Sequence, residues 1–299
     1  MQNVIDVVQC ANQVSIKIYK VELMAGPLAY ILLKRPISPD LAQLVTVLRQ
    51  RYPDLDVEGV GTGSSPTGAD ARPSPLLKCS GRLVAVMSIE APLPIDEHLI
   101  ARASILWPGA GAAFRESTAH LFVTIMGQQE HLLPAARMTT AIVDALLSLA
   151  PDSLGVVWDA EVAQPPQFWA EMGKDAFAPY PRFPVPLWVG IHPFRDARTG
   201  GVGIVTQGLR KFVDRELELI SAAGDLKLLM ARTEMLAAYL IERGPVLTDG
   251  STFGISEAER IPVRLCPSER FAGLPVISGS IAAASPQHPE CRRPESEPE

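Results

Sequence analysis

Short apolar runs alternate with amphipathic segments along most of the chain. Ala29–Leu33 (AYILL), Leu83–Ile89 (LVAVMSI), Leu121–Met126 (LFVTIM) and Leu154–Trp158 (LGVVW) are apolar at nearly every position. Runs of that length with no polar face predict strands covered on both sides. Helical spacing lies between and after them. Leu41, Leu44, Val45 and Leu48 share one helical face behind Ser38-Pro39-Asp40, where Ser38 reads as the cap and Pro39 as the first helical position. Residues 95–114 predict a helix broken at Trp107-Pro108-Gly109, and 132–149 a long amphipathic helix. A short helix is predicted over 165–172, and a stripe from Leu226 to Ile241 predicts another long one, with Leu229, Met230, Leu236 and Leu240 inward. Gly244-Pro245 closes that helix as a left-handed cap and a breaker. Leu187–Phe194 and Gly203–Gln207 predict a hairpin around 195–201, and a last hairpin is expected from Val246–Phe253 and Ile261–Leu265.

Strands and helices mix without strict βαβ alternation, and hairpins recur. This predicts an α+β fold with a largely antiparallel sheet and packed helices. Residues 28–127 read β-α-β-β-α-β, the order of a ferredoxin-like unit. Residues 132–265 add a second half, with no sequence repeat between the two. The expected organisation is an N-terminal extension over 1–27, a compact domain over 28–275 (one unit, or halves at 28–127 and 132–265) and a disordered tail over 276–299. The tail ends AAASPQHPECRRPESEPE, rich in Pro, Glu and Ser with no apolar face. The glycine-rich stretch 59–75 predicts a surface loop. It has neither the Lys-Ser/Thr end of a P-loop nor the GxGxxG order of a dinucleotide turn.

Composition adds boundaries rather than chemistry. The 299 residues are 47% hydrophobic and 20% charged, enough to bury a sizeable core. The net charge of -6 and the absence of a basic field argue against a nucleic-acid partner. The cysteines Cys10, Cys79, Cys266 and Cys291 are far apart and form no CxxC pair, so they predict reduced thiols rather than a zinc site or a disulfide framework. Asp6, Gln9, Asn12 and Gln13 interrupt the apolar residues of the N-terminus, against a secretory leader, and no run reaches membrane-spanning length. The expectation is a cytoplasmic protein without a membrane partner and without a cofactor.

The densest polar and aromatic segment is Trp158-Asp159-Ala160-Glu161, followed by Phe168, Trp169 and Glu171. Asp159 and Glu161 follow a buried strand, where paired carboxylates can serve as acid and base or hold a hard cation. The plainer alternative makes Asp159 a turn residue and puts Trp158 and Trp169 in the core. Asp249, within Thr248-Asp249-Gly250-Ser251-Thr252, is a candidate for a polar ligand, and the plainer reading makes it a turn residue. Trp158, Trp169 and Trp188 are candidate anchors for a binding partner. The histidines form no HExxH or other metal-binding interval, and no GxSxG elbow is present.

PLWVGI (186–191), TQGL (206–209) and AAYLIERGPVLTDGSTFGISEAERIPVR (237–264) resemble an uncharacterised bacterial family, domain of unknown function 4261. AHLFVTIMG (119–127) and LGVVWDAEVAQPPQFWAEM (154–172) are similar to its longer members. The family has no established activity, so the resemblance implies a kind of protein and carries no catalytic residues over. The expectation is a non-catalytic module of accessory or immunity type that recognises another bacterial protein. The alternatives are a hydrolase or other enzyme using acids near 158–171 and 249, and a purely structural domain. The oligomeric state stays open.

Overall fold

The computed structural model describes residues 29–63, 74–94, 96–127, 131–222, 224–254 and 260–281. The chain opens with β1 (Ala29–Leu33), α1 (Leu41–Arg51), β2 (Val57–Gly63), β3 (Ser74–Cys79) and β4 (Arg82–Ile89). Then come α2 (Glu97–Leu106), α3 (Ala110–Glu116), β5 (Ala119–Ile125), α4 (Leu132–Leu149), β6 (Ser153–Trp158) and β7 (Val162–Gln164). The second half holds α5 (Pro166–Gly173), α6 (Val185–Trp188), β8 (Gly190–Arg195), β9 (Val202–Gln207), α7 (Arg210–Val213) and β10 (Glu216–Ser221). It ends with α8 (Leu226–Arg243), β11 (Thr252–Phe253), β12 (Ile261–Pro267) and β13 (Pro275–Ile281). The α+β class and the largely antiparallel pairing match the sequence.

The first sheet has the order β2-β3-β4-β5-β1-β6-β7, antiparallel throughout. Alternation along β1 explains its apolar run. Ala29, Ile31 and Leu33 join the core under α1 and α4, while Tyr30 and Leu32 face the cluster containing Leu99 of α2. The ferredoxin-like connectivity is present, but over other elements than 28–127. The order β6-β1-β5-β4, with α1 and α4 as crossovers on one face, uses β1-α1-β4-β5-α4-β6. The hairpin β2-β3 is inserted, and α2 and α3 cover the opposite face.

The second sheet has the order β11-β12-β13-β10-β9-β8, antiparallel except where β10 meets β13. α8 covers one of its faces with Leu229, Leu236 and Leu240 buried and Met230 half-buried. One core cluster runs from Ile31 of the first half to Leu217, Leu236 and Ile277 of the second, so the halves share a core. At its centre is α4, apolar enough over 18 residues to cross a membrane, but 67% buried inside the fold.

Three local readings are corrected. The cap of α1 is Asp40, whose side chain accepts from the Gln43 amide, not Ser38. The glycine-rich stretch is strand over 57–63 and again from 74, because the backbone ladder needs no side chains; residues 64–73 lie outside the described set. Residues 276–281, assigned to the tail, form β13 between β10 and β12. The rest of that tail and the extension 1–27 lie outside the described residues.

Candidate functional site

The candidate anchors are interior. Trp158 is 2% exposed and Trp169 and Trp188 are 0% exposed. Their rings form one row, with Trp158 centred 6.1 Å from Trp169 and 6.3 Å from Trp188. Trp188 also stacks on Phe183 and Phe212. These side chains build the junction between the halves and offer no surface to a partner.

The two candidate acids meet on the β6–β7 hairpin. Asp159 (φ 54°) and Ala160 (φ 56°) are its central residues, closed by the Glu161 amide donating to the Trp158 carbonyl at 2.9 Å. Two consecutive positive φ values are what a two-residue turn with the twist of its flanking strands requires. Lys211 pairs with Asp159, and Arg210 donates to Glu161 Oε1 at 3.0 Å. The acids therefore clamp a turn of the first half to α7 of the second. Asp249 is not brought to them. It lies at the β11–β12 edge, remote from β8, and accepts from the Leu265 amide at 2.8 Å.

The face of the second sheet that α8 does not cover carries a cleft. Register places His192 opposite Val205, and Val205 opposite Glu218, all on this face. Arg102 and Ile105 of α2 approach it from the first half, and Phe271 and Leu274 close it from the loop before β13. The cavity measures about 370 Å³. A narrower recess continues past Glu161, also lined by Arg102 and His192. Three buried atoms here, Arg102 Nε, His192 Nε2 and Glu161 Oε2, have no hydrogen-bond partner among the described residues. Ten side-chain atoms are buried without such a partner among the described residues, and these three share one recess, which makes it the candidate site. Burial, with Arg102 next, pushes the His192 imidazole down to about 4, against a hydrogen bond with Gln207, so it is neutral at pH 7. Gly190 makes room for that ring, since a Cβ there would lie 2.8 Å from Nε2.

Two buried carboxylates shape the surroundings. Glu216 accepts from the Thr206 hydroxyl at 2.7 Å and from the amides of Gly208, Leu209 and Arg210 at 2.8, 3.1 and 3.3 Å. Thr206 Oγ1 in turn accepts from the Leu217 amide. This explains the TQGL segment: Thr206 and the amides from Gly208 onward satisfy one buried acid. Burial pushes the Glu216 carboxyl up, and these hydrogen bonds oppose the shift. Glu218 accepts from Ser268 and from Arg270, which also pairs with Asp196 and lies over the Phe194 ring. The Thr199 hydroxyl foremost, then Arg270, hold the Asp196 carboxyl down at about 2 against its desolvation. The sequence signal for this pair of acids is the alternation Glu216-Leu217-Glu218-Leu219, period two with the acids on one face. Among the described residues no group of three or more His, Cys, Asp or Glu side chains gathers to hold a metal.

A second concavity of about 350 Å³ runs beside α8, lined by Tyr180, Met235, Tyr239, Leu247 and Phe253 with Arg232. Tyr180 is 41% and Tyr239 37% exposed.

With this geometry in place, comparison with known proteins adds one finding. A family model described as a domain of unknown function (DUF4261) matches residues 205–278, from the end of β9 into β13. The match takes in the Thr206–Glu216 motif, α8 and the β11–β12 hairpin. No curated protein and no solved structure matches the chain.

Proposed function

We propose that the chain is a non-catalytic protein-binding module of accessory or immunity type, which engages another bacterial protein through the groove beside α8. The observation that carries this reading is the pair of exposed tyrosines, Tyr180 and Tyr239, over a groove floored by Met235 and Phe253. Tyr, Met and Arg are the residue types enriched at protein interfaces, and a concave apolar floor with an aromatic rim suits an apolar side chain from a partner segment. The enzyme alternative is weakened by the ion pairs that occupy Asp159 and Glu161, and by the separation of both from Asp249. The free thiols of Cys79 and Cys266 suit a reducing compartment, which supports a cytoplasmic setting.

The test compares affinity capture by the wild type, by Tyr180→Ala/Tyr239→Ala and by Arg35→Ala, a change at an exposed residue of the first half. One partner recovered with the wild type and with Arg35→Ala should be lost, by roughly tenfold or more in affinity, with the tyrosine variant at unchanged melting temperature. Equal recovery by all three rejects the groove.

A further inference from the structure

We infer that the cleft between α2 and the open face of the second sheet is a binding site for a small organic monocarboxylate with an apolar body, held by Arg102 and His192. The inference does not depend on the partner groove, which lies with α8 on the other face of the sheet.

The charge pattern of the lining selects the ligand. Arg210 is committed to Glu161, and Glu216 is committed to the Thr206 hydroxyl and three backbone amides. His192 is neutral at pH 7. Arg102 remains, a partly buried cation with no ion pair or hydrogen bond among the described residues and with its Nε sealed from solvent. The sealed Nε–H lacks an acceptor, and the planar fork of a guanidinium matches a carboxylate. His192 Nε2, also sealed and unpartnered, supplies a second hydrogen bond in the tautomer that carries its proton there. One cation without a carboxylate partner suits a ligand with a single negative charge, since Glu216 in the same lining has no cation of its own. A phosphate dianion would place a second charge beside Glu161 and Glu216.

Thr206, Gln207, Arg210 and Glu216 line one end of the cavity, and the remainder is apolar. Ile105, Phe194, Val205, Phe271 and Leu274 form its walls, and about 370 Å³ is the size of a single small ligand. The cleft is also firmly built. Arg270 fixes the Phe271–Leu274 loop to the sheet through Glu218 and Asp196, so the walls are set before any ligand arrives.

The aromatic walls make phenylacetate a suitable probe. Binding is followed by calorimetry and by the NMR signal of the His192 Cε1–H. Saturable binding of phenylacetate is expected, with a shift of that signal. Phenylacetamide should bind at least about tenfold more weakly, as should phenylacetate to Arg102→Gln, because each removes the charged hydrogen bond. Arg102 makes no side-chain hydrogen bond or ion pair among the described residues, so the melting temperature of Arg102→Gln should stay close to that of the wild type, and Arg35→Gln should bind like the wild type. Equal affinity for acid and amide, undiminished binding by Arg102→Gln, or no saturable binding at millimolar phenylacetate would each overturn the inference. Tighter binding of phenyl phosphate would overturn the monoanion. Tighter binding of acetyl-glycyl-phenylalanine with a free C-terminus would reassign the carboxylate to a partner's chain end and overturn the small-acid form.

Discussion

Trp188 donates its indole N–H to Thr140 Oγ1 at 2.8 Å, joining α6 to the central helix α4 inside the shared core. Thr140 is 0% exposed and passes its own proton to the Ala136 carbonyl, so the indole has no water to fall back on. Thr140→Val keeps the shape and removes the acceptor. A loss of about 1–3 kcal/mol in urea denaturation is expected, the cost of a buried donor left unpaired. An unchanged midpoint would show that the indole finds another partner.

The β6–β7 turn holds Ala160 at φ 56°, a region that alanine enters at a cost. Ala160→Gly should raise stability by about 0.5–1 kcal/mol, the relief of strain exceeding the added freedom of the unfolded chain. Asp159→Asn should be close to neutral, since Asn also tolerates this backbone and the Lys211 pair is partly exposed. A drop in melting temperature for Ala160→Gly would refute the turn geometry.

How far the sequence reveals this structure depends on where the information sits. Where one face of an element is apolar and the other polar, as in α8, the buried positions are readable from spacing alone. α4 is delimited over 132–149 by the same logic, although its other face is also buried. The strand β10 escapes because Glu216 and Glu218 look like a solvent-facing edge. They are buried only because amides and hydroxyls from 206–210 and 268, together with Arg270, converge on them, and those partners come from other elements. β2 and β13 escape because Gly59, Gly61, Gly63 and Gly279 resemble loop, while the ladder that orders them is made by backbone groups of neighbouring strands. Asp159 and Glu161 are visible as a pair, but their role is set by Arg210 and Lys211, some fifty residues away. Arg102 and His192 meet only through the docking of α2 on the second sheet, and nothing local to either residue announces it.

Glu216 is the strongest test of that long-range satisfaction. Glu216→Ala leaves the Thr206 hydroxyl and the amides of Gly208, Leu209 and Arg210 without their acceptor. The expected loss is at least about 3 kcal/mol, because several buried donors go unpaired at once. Glu216→Gln, which keeps one acceptor oxygen, should fall between the wild type and the alanine variant. A loss below about 1 kcal/mol for Glu216→Ala would mean that 206–210 rearranges to satisfy itself.

The imidazole of His192 gives the cleft a pH signature. Its folded value of about 4 lies below the unfolded value of about 6.5. Between these limits the unfolded chain binds more protons than the folded one at this residue, so stability rises with pH across that window and is lost as pH falls through it. His192→Gln should flatten this part of the stability profile while leaving it unchanged above about pH 7. The causes can be separated. Burial acts first and Arg102 second, so Arg102→Gln should move the NMR titration midpoint of the His192 Cε1–H upward but short of about 6.5. A midpoint fully restored by Arg102→Gln would make the charge, not the burial, the dominant influence. A midpoint unmoved by that change would separate Arg102 from the imidazole and remove the pairing on which the carboxylate site is built.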